Sequence, residues 1–114
     1  MLAVEPAPRV LVAIRPVDLR LGFNGLYALV QNHLRCDPLS GQFFAFTNRQ
    51  RNRLKILYWD GSGLWVCAKR LEKGTFGWPN ATKSKEPSVR LRAEQWMGLV
   101  HGMKLKSRRG WYRR

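Results

Sequence analysis

Two apolar, aromatic runs at residues 54–59 (Leu-Lys-Ile-Leu-Tyr-Trp) and 64–69 (Leu-Trp-Val-Cys-Ala-Lys) are separated only by Asp60-Gly61-Ser62-Gly63. That spacing leaves the chain one economical solution, a β-hairpin. Branched and aromatic residues suit a pleated surface, and glycine supplies the positive φ of a tight hairpin turn. A third run at 43–47 precedes them, joined by the polar stretch 48–53. Strand periodicity then sorts the meander into two faces. Phe44, Phe46, Leu57, Trp59, Leu64, Val66 and Ala68 share one, which is the expected core. Phe43, Ala45, Ile56, Tyr58, Trp65 and Cys67 share the other. The second face is also apolar, so either a further helix covers it or a partner docks there.

Residues 10–14 (Val-Leu-Val-Ala-Ile) form a continuous apolar run ended by Arg15-Pro16, which reads as a strand buried on both faces. Asp18 offers a helix N-cap, and Leu19, Phe23, Leu26, Val30 and Leu34 follow at helical spacing. Gly22 and Gly25 each weaken that helix by about 1 kcal/mol relative to alanine, which moves its expected start to near Phe23. Residues 36–41 carry Asp-Pro and Ser-Gly turn chemistry. Residues 74–78 read as a further short strand, 81–87 as a polar linker, and Trp96, Leu99, Val100 and Met103 as a second helical face. The expected class is α+β: a small antiparallel β-meander sheet, one longer helix after the first strand and a short C-terminal helix. The expected organisation is a disordered lead-in over 1–9, a single domain over 10–103 and a basic tail over 104–114, unstructured when free. The lead-in lacks the apolar segment of a signal peptide, and no apolar run approaches the ~18 residues of a membrane span. A cytoplasmic setting follows as the expectation, with Cys36 a reduced thiol and Cys67 a small buried hydrophobe.

Charge separates this chain from an ordinary small domain. Twenty-one Lys and Arg stand against seven Asp and Glu, for a net charge of +14 and a pI near 11.1. Such self-repulsion is relieved by a polyanion, and nucleic acid is the leading candidate through counterion release. Arg49, Arg51, Arg53 and Lys55 alternate beside Asn48 and Asn52, a pattern suited to phosphate contact. Lys69, Arg70 and Lys73 form a second cluster, and the two merge if Leu54 and Lys69 are neighbours. The plain alternative is a solvated loop whose charge serves solubility. Arg108, Arg109, Arg113 and Arg114 in the tail add diffuse attraction to DNA or, alternatively, to anionic lipid. Trp59 is expected inside, whereas Trp65 and Trp111 are candidates for exposure and base stacking.

A catalytic reading fails on supply. After the lead-in the acids are Asp18, Asp37, Asp60, Glu72, Glu86 and Glu94. Asp18 is accounted for as a cap, Asp37 and Asp60 as turn formers, and Glu72 as a partner for its basic neighbours. His33 and His101 lack companions at metal-ligand spacing. No enzyme activity, metal or cofactor is expected.

Several segments together resemble a known family. They are Asp18-Leu19-Arg20 with Gly22-Phe23-Asn24-Gly25-Leu26, and Asp37-Pro38-Leu39-Ser40-Gly41. With them go Arg53-Leu54-Lys55-Ile56-Leu57-Tyr58-Trp59-Asp60-Gly61 and Lys69-Arg70-Leu71-Glu72-Lys73-Gly74, followed by Phe76 and Trp78-Pro79. They resemble the TnpB-type accessory protein of insertion sequences of the IS66 kind, over roughly residues 10–103. This is not the longer RNA-guided nuclease that shares the TnpB name. Leu21 stands where the family usually has a basic residue, and Asn24 where it usually has an acid. The resemblance implies a bacterial mobile-element protein encoded beside a larger transposase that carries the strand-transfer chemistry. Two readings follow for its role in support of transposition. One is a DNA-binding factor using the basic clusters. The other is a protein-interaction module that docks the transposase, or a second copy of itself, through the apolar face bearing Tyr58 and Trp65.

Overall fold

The computed structural model describes residues 9–80 and 85–101. The strands are β1 (Val10–Ala13), β2 (Phe43–Thr47), β3 (Arg53–Trp59), β4 (Leu64–Arg70) and β5 (Ser88–Leu91), and the helices are α1 (Phe23–Asn32) and α2 (Ala93–Val100). They build a five-stranded sheet of order β4-β3-β2-β1-β5 with both helices packed on it, an α+β fold.

The meander is as the periodicity requires. Phe44 faces Leu57, Leu57 faces Val66, and Leu54 faces Lys69 across antiparallel ladders. The sheet as a whole is mixed, which corrects the antiparallel expectation: β1 runs parallel to β2, with Val10 opposite Phe43. A helix as the connection makes that possible, since parallel neighbours need a long crossover. The other edge, β5, pairs antiparallel with β1 in a segment not read as a strand from sequence. Conversely, 74–78 forms no strand. Phe76 and Trp78 are instead buried plugs, and the Trp78 indole N–H donates to the Ala13 carbonyl at 2.7 Å.

The core has two layers, one on each side of the sheet. On one side Leu11, Ala13, Phe44, Phe46 and Leu57 pack against Leu26, Val30 and Leu34. On the other, Val10, Val12, Ala45 and Leu54 meet Phe76, Trp78, Leu91 and Leu99. β1 is buried on both faces because each layer takes alternate residues from it.

Helix α1 starts at Phe23, with Gly22 as an N-cap that makes no side-chain bond. Asp18 does not cap it; that carboxylate is taken by Arg20 instead. Gly25 is a packing requirement, because a Cβ there would lie 2.7–3.1 Å from Leu21 side-chain atoms. Gly61, at φ +100°, makes the hairpin turn that only glycine enters without strain. Trp59 is half-buried rather than inside. Cys67 is exposed rather than buried, because it lies on the edge strand β4 beyond the cover of α2. Trp111 and the basic tail lie outside the described residues. Among those described, no helix is long and apolar enough to cross a membrane.

Candidate nucleic-acid interface

The loop between β2 and β3 is framed by a set of local hydrogen bonds. The Asn48 Oδ1 accepts the amides of Asn52 and Arg53, both at 3.1 Å, while its Nδ2 donates to Asn52 Oδ1 at 2.8 Å and Gln50 Oε1 at 3.3 Å. Arg51 N–H closes the turn onto the Asn48 carbonyl at 3.1 Å. Arg51 sits at φ +60°, a left-handed conformation uncommon outside glycine. Two distant amides stabilise that shape: Phe76 N–H donates to the Arg51 carbonyl at 2.7 Å, and Leu71 N–H to the Asn52 carbonyl at 2.8 Å. Arg49 and Gln50 are left exposed at the tip.

Beside this loop, Arg53 and Arg70 stand directly opposite each other on β3 and β4. Like charges in that position destabilise a ladder. Glu72 offsets part of this by accepting a bond from Arg70 at 3.1 Å. Both arginines open into a cleft of about 810 Å³, whose walls also include Arg20, Asn48, Gln50, Asn52, Lys55, Lys69 and Glu72. The Leu54–Lys69 pairing therefore does bring the two basic stretches to one end of the sheet.

Not every cation there is equally available. Lys55 donates to the Leu21 carbonyl at 3.0 Å and ties the lead-in of α1 to the sheet. Lys69, one residue out of phase, projects to the opposite face and donates to the Val100 carbonyl at 2.7 Å. There it satisfies the carboxyl end of α2, where a cation is favoured. Arg49, Arg51, Arg53 and Lys73 have no side-chain hydrogen bond or ion pair to another described residue. Lys73 is exposed and lies outside the cleft wall. Arg108, Arg109, Arg113 and Arg114 lie outside the described residues.

Arg20 was not singled out from sequence. Its guanidinium grips Asp18 through contacts of 2.8–3.2 Å. That side-chain bond, with the Arg20 amide, lowers the Asp18 pKa from 3.8 to about 2, while the Arg20 pKa rises in turn. The signal was the Asp-x-Arg spacing, which serves a bidentate pair as readily as a cap.

At the other end of the hairpin, Trp65 is 56% exposed, as expected. It is fixed by its indole N–H, which donates to Asp60 Oδ2 at 2.7 Å. That bond, with the Ser62 and Gly63 amides, holds the Asp60 carboxyl well below the usual carboxylate range. Tyr58, opposite Trp65, stacks on Phe43 with ring centroids 4.3 Å apart. The apolar second face is thus partly answered by α2 and by Phe76 and Trp78. A groove of about 260 Å³ remains beside α2, lined by Val10, Phe43, Ile56, Ala93, Trp96 and Met97.

The fold and cleft define a small, strongly basic α+β protein with Arg20, Arg53, Lys55, Lys69 and Arg70 around a cleft at one end of its sheet. The chain belongs to the IS66 Orf2-like (TnpB-type) family, whose model matches residues 8–110, and so to the accessory proteins of a transposable element. It is 41% identical over 95 residues to an uncharacterized protein, y4jC, of Sinorhizobium fredii, covering 83% of this chain and 79% of that one. A second Sinorhizobium fredii protein, y4hO, also uncharacterized, is 41% identical over 73 residues, 64% of each chain. No solved structure matches.

Proposed function

We propose that this protein is a non-catalytic DNA-binding accessory factor that acts beside a separate transposase in the bacterial cytoplasm. The observation that carries this reading is the opposition of Arg53 and Arg70 within the cleft, next to a loop locked so as to present Arg49 and Arg51. The arrangement concentrates like charge at a cost to the fold, and a phosphate backbone removes that cost. Arg49, Arg51, Arg53 and Arg70 contact phosphate directly. Lys55 and Lys69 hold the frame while adding to the field, and Lys73 extends it. Polar Gln50 at the tip adds hydrogen bonding without charge.

Binding is therefore steeply salt-dependent and only modestly sequence-selective. A duplex titration at two salt concentrations tests this, and an affinity indifferent to salt contradicts it.

The groove beside α2 favours a second, compatible role, docking of the transposase through apolar contact. Co-purification that survives high salt distinguishes it, because apolar burial is not screened whereas phosphate contacts are.

A further inference from the structure

The sheet ends in two edges of different character. β5 is four residues long, directly follows Pro87 and carries exposed Arg90. A short, charged edge is a common protection against unwanted pairing. β4 is seven residues long, in unbroken register with β3, and has no proline and no charge from Leu64 to Ala68. Among the described residues, nothing bonds to its outer side.

The hairpin determines which backbone groups face outward. Asp60 N–H donates to the Gly63 carbonyl at 3.1 Å, so that pair is hydrogen-bonded. Bonded and non-bonded pairs alternate along an antiparallel ladder. Trp65, Cys67 and Lys69 therefore exchange bonds with β3, and Leu64, Val66, Ala68 and Arg70 turn their amides and carbonyls to solvent.

We propose that β4 pairs antiparallel with β4 of a second copy of this chain, about a two-fold axis at Cys67, joining both sheets into one. This inference does not depend on the DNA reading. The axis follows from the ladder, because full overlap sets Leu64 against the second copy's Arg70 and Val66 against its Ala68. Every outward group on β4 is then engaged. Slipping the register by one residue shortens the overlap, and a slip of two or three towards Arg70 sets Lys69 or Arg70 against its own copy, which is unfavourable. In the Cys67-centred register each Lys69 instead lies opposite the second copy's Trp65, where its aliphatic stem meets the indole while its ammonium stays on the Val100 carbonyl. Trp65 is the most exposed large apolar side chain among the described residues, and Asp60 already holds it in place. The uncharged stretch supplies most of the overlap, and the two Arg70 residues lie at its opposite ends, each three residues from the axis. This geometry limits repulsion between two copies that each carry +14.

Salt separates this pairing from DNA binding by sign. Screening weakens phosphate contacts and strengthens association of two like-charged copies. The test uses the full chain freed of nucleic acid. Sedimentation equilibrium at low and high salt should show a doubled mass, more populated at high salt. Cys67 would face its equivalent as a non-bonded pair with Cα atoms about 4.5 Å apart, inside the disulfide range of about 4.4–6.8 Å. Diamide, reduced to the hydrazine as it takes up the two thiol hydrogens, should link two copies in the native chain and in Cys36→Ser, but not in Cys67→Ser. Ala68→Pro removes an outward N–H from an exposed position where an edge strand tolerates proline, and should leave a folded monomer. A monomer at every concentration and salt, a linked dimer that persists in Cys67→Ser, or a non-covalent dimer that persists in Ala68→Pro would each overturn the pairing. The crosslinking arm stands whether or not Ala68→Pro folds.

Discussion

The two ends of the β3–β4 hairpin are built from the same pair of strands and solve opposite problems. At the turn, Asp60 Oδ1 accepts the Ser62 and Gly63 amides and the Ser62 hydroxyl at 2.8–3.0 Å, and Oδ2 takes the Trp65 indole. Every partner lies within five residues of Asp60, and the charge is consumed locally. At the open end, Arg53 faces Arg70 and the neighbouring loop is held by amides from Leu71 and Phe76. There the backbone is satisfied, while Arg49, Arg51 and Arg53 make no side-chain bond to another described residue. The difference marks one end as a structural stop and the other as the surface that the proposed DNA contact would use.

Breaking the open end gives the largest expected effect. Replacing Arg49, Arg51 and Arg53 together with alanine should lower duplex affinity at least tenfold at low salt. It should also flatten the dependence of log affinity on log salt by about 1 for each phosphate no longer neutralised. The urea midpoint should not fall, because these side chains hold nothing described in the fold. Asn48→Ala removes the frame without touching charge. It should cost about 0.5–1.5 kcal/mol through the lost hydrogen bonds, seen as a lower urea midpoint, and affinity should fall because the arginines lose their common orientation. If affinity is retained, the loop's shape is irrelevant to binding.

Gly25→Ala probes the wall of the same cleft indirectly. Helix propensity alone predicts a gain of about 1 kcal/mol. The clash with Leu21, whose carbonyl receives Lys55, should reverse that sign to a net loss of about 1 kcal/mol on thermal or urea unfolding.

The smallest effect belongs to the turn and to acid. Asp60 and Asp18 both have lowered pKa values. A depressed folded value contributes stability that is present above the unfolded value, about 3.9. It is lost progressively as pH falls from there through the folded value, about 2 for Asp18. Tryptophan fluorescence should therefore show no step on acidification to about pH 4. Asp60→Asn should alter Trp65 emission slightly at neutral pH while leaving DNA affinity unchanged. A fluorescence step in the ordinary carboxylate range would mean that the Asp60–Trp65 contact is not held as described.

Much of this molecule is legible from local pattern. The period of two in residues 43–69 assigns each side chain to its face, and Gly22 with Gly25 places the start of α1 near Phe23, because both depend on neighbours a few residues away. The convergence of the basic stretches follows as well, since a tight turn at Gly61 forces Leu54 beside Lys69. Long-range contact decided the rest. The parallel docking of β1, the addition of β5 and the conversion of 74–78 into buried plugs depend on where the chain returns after its crossovers. Lys55 and Lys69 look alike in sequence, yet their carbonyl partners lie 34 and 31 residues away, on opposite sides of the sheet. Periodicity determines which way a side chain points. Only the folded chain determines what it meets there, because a hydrogen bond across such a separation forms only once the intervening segments have packed.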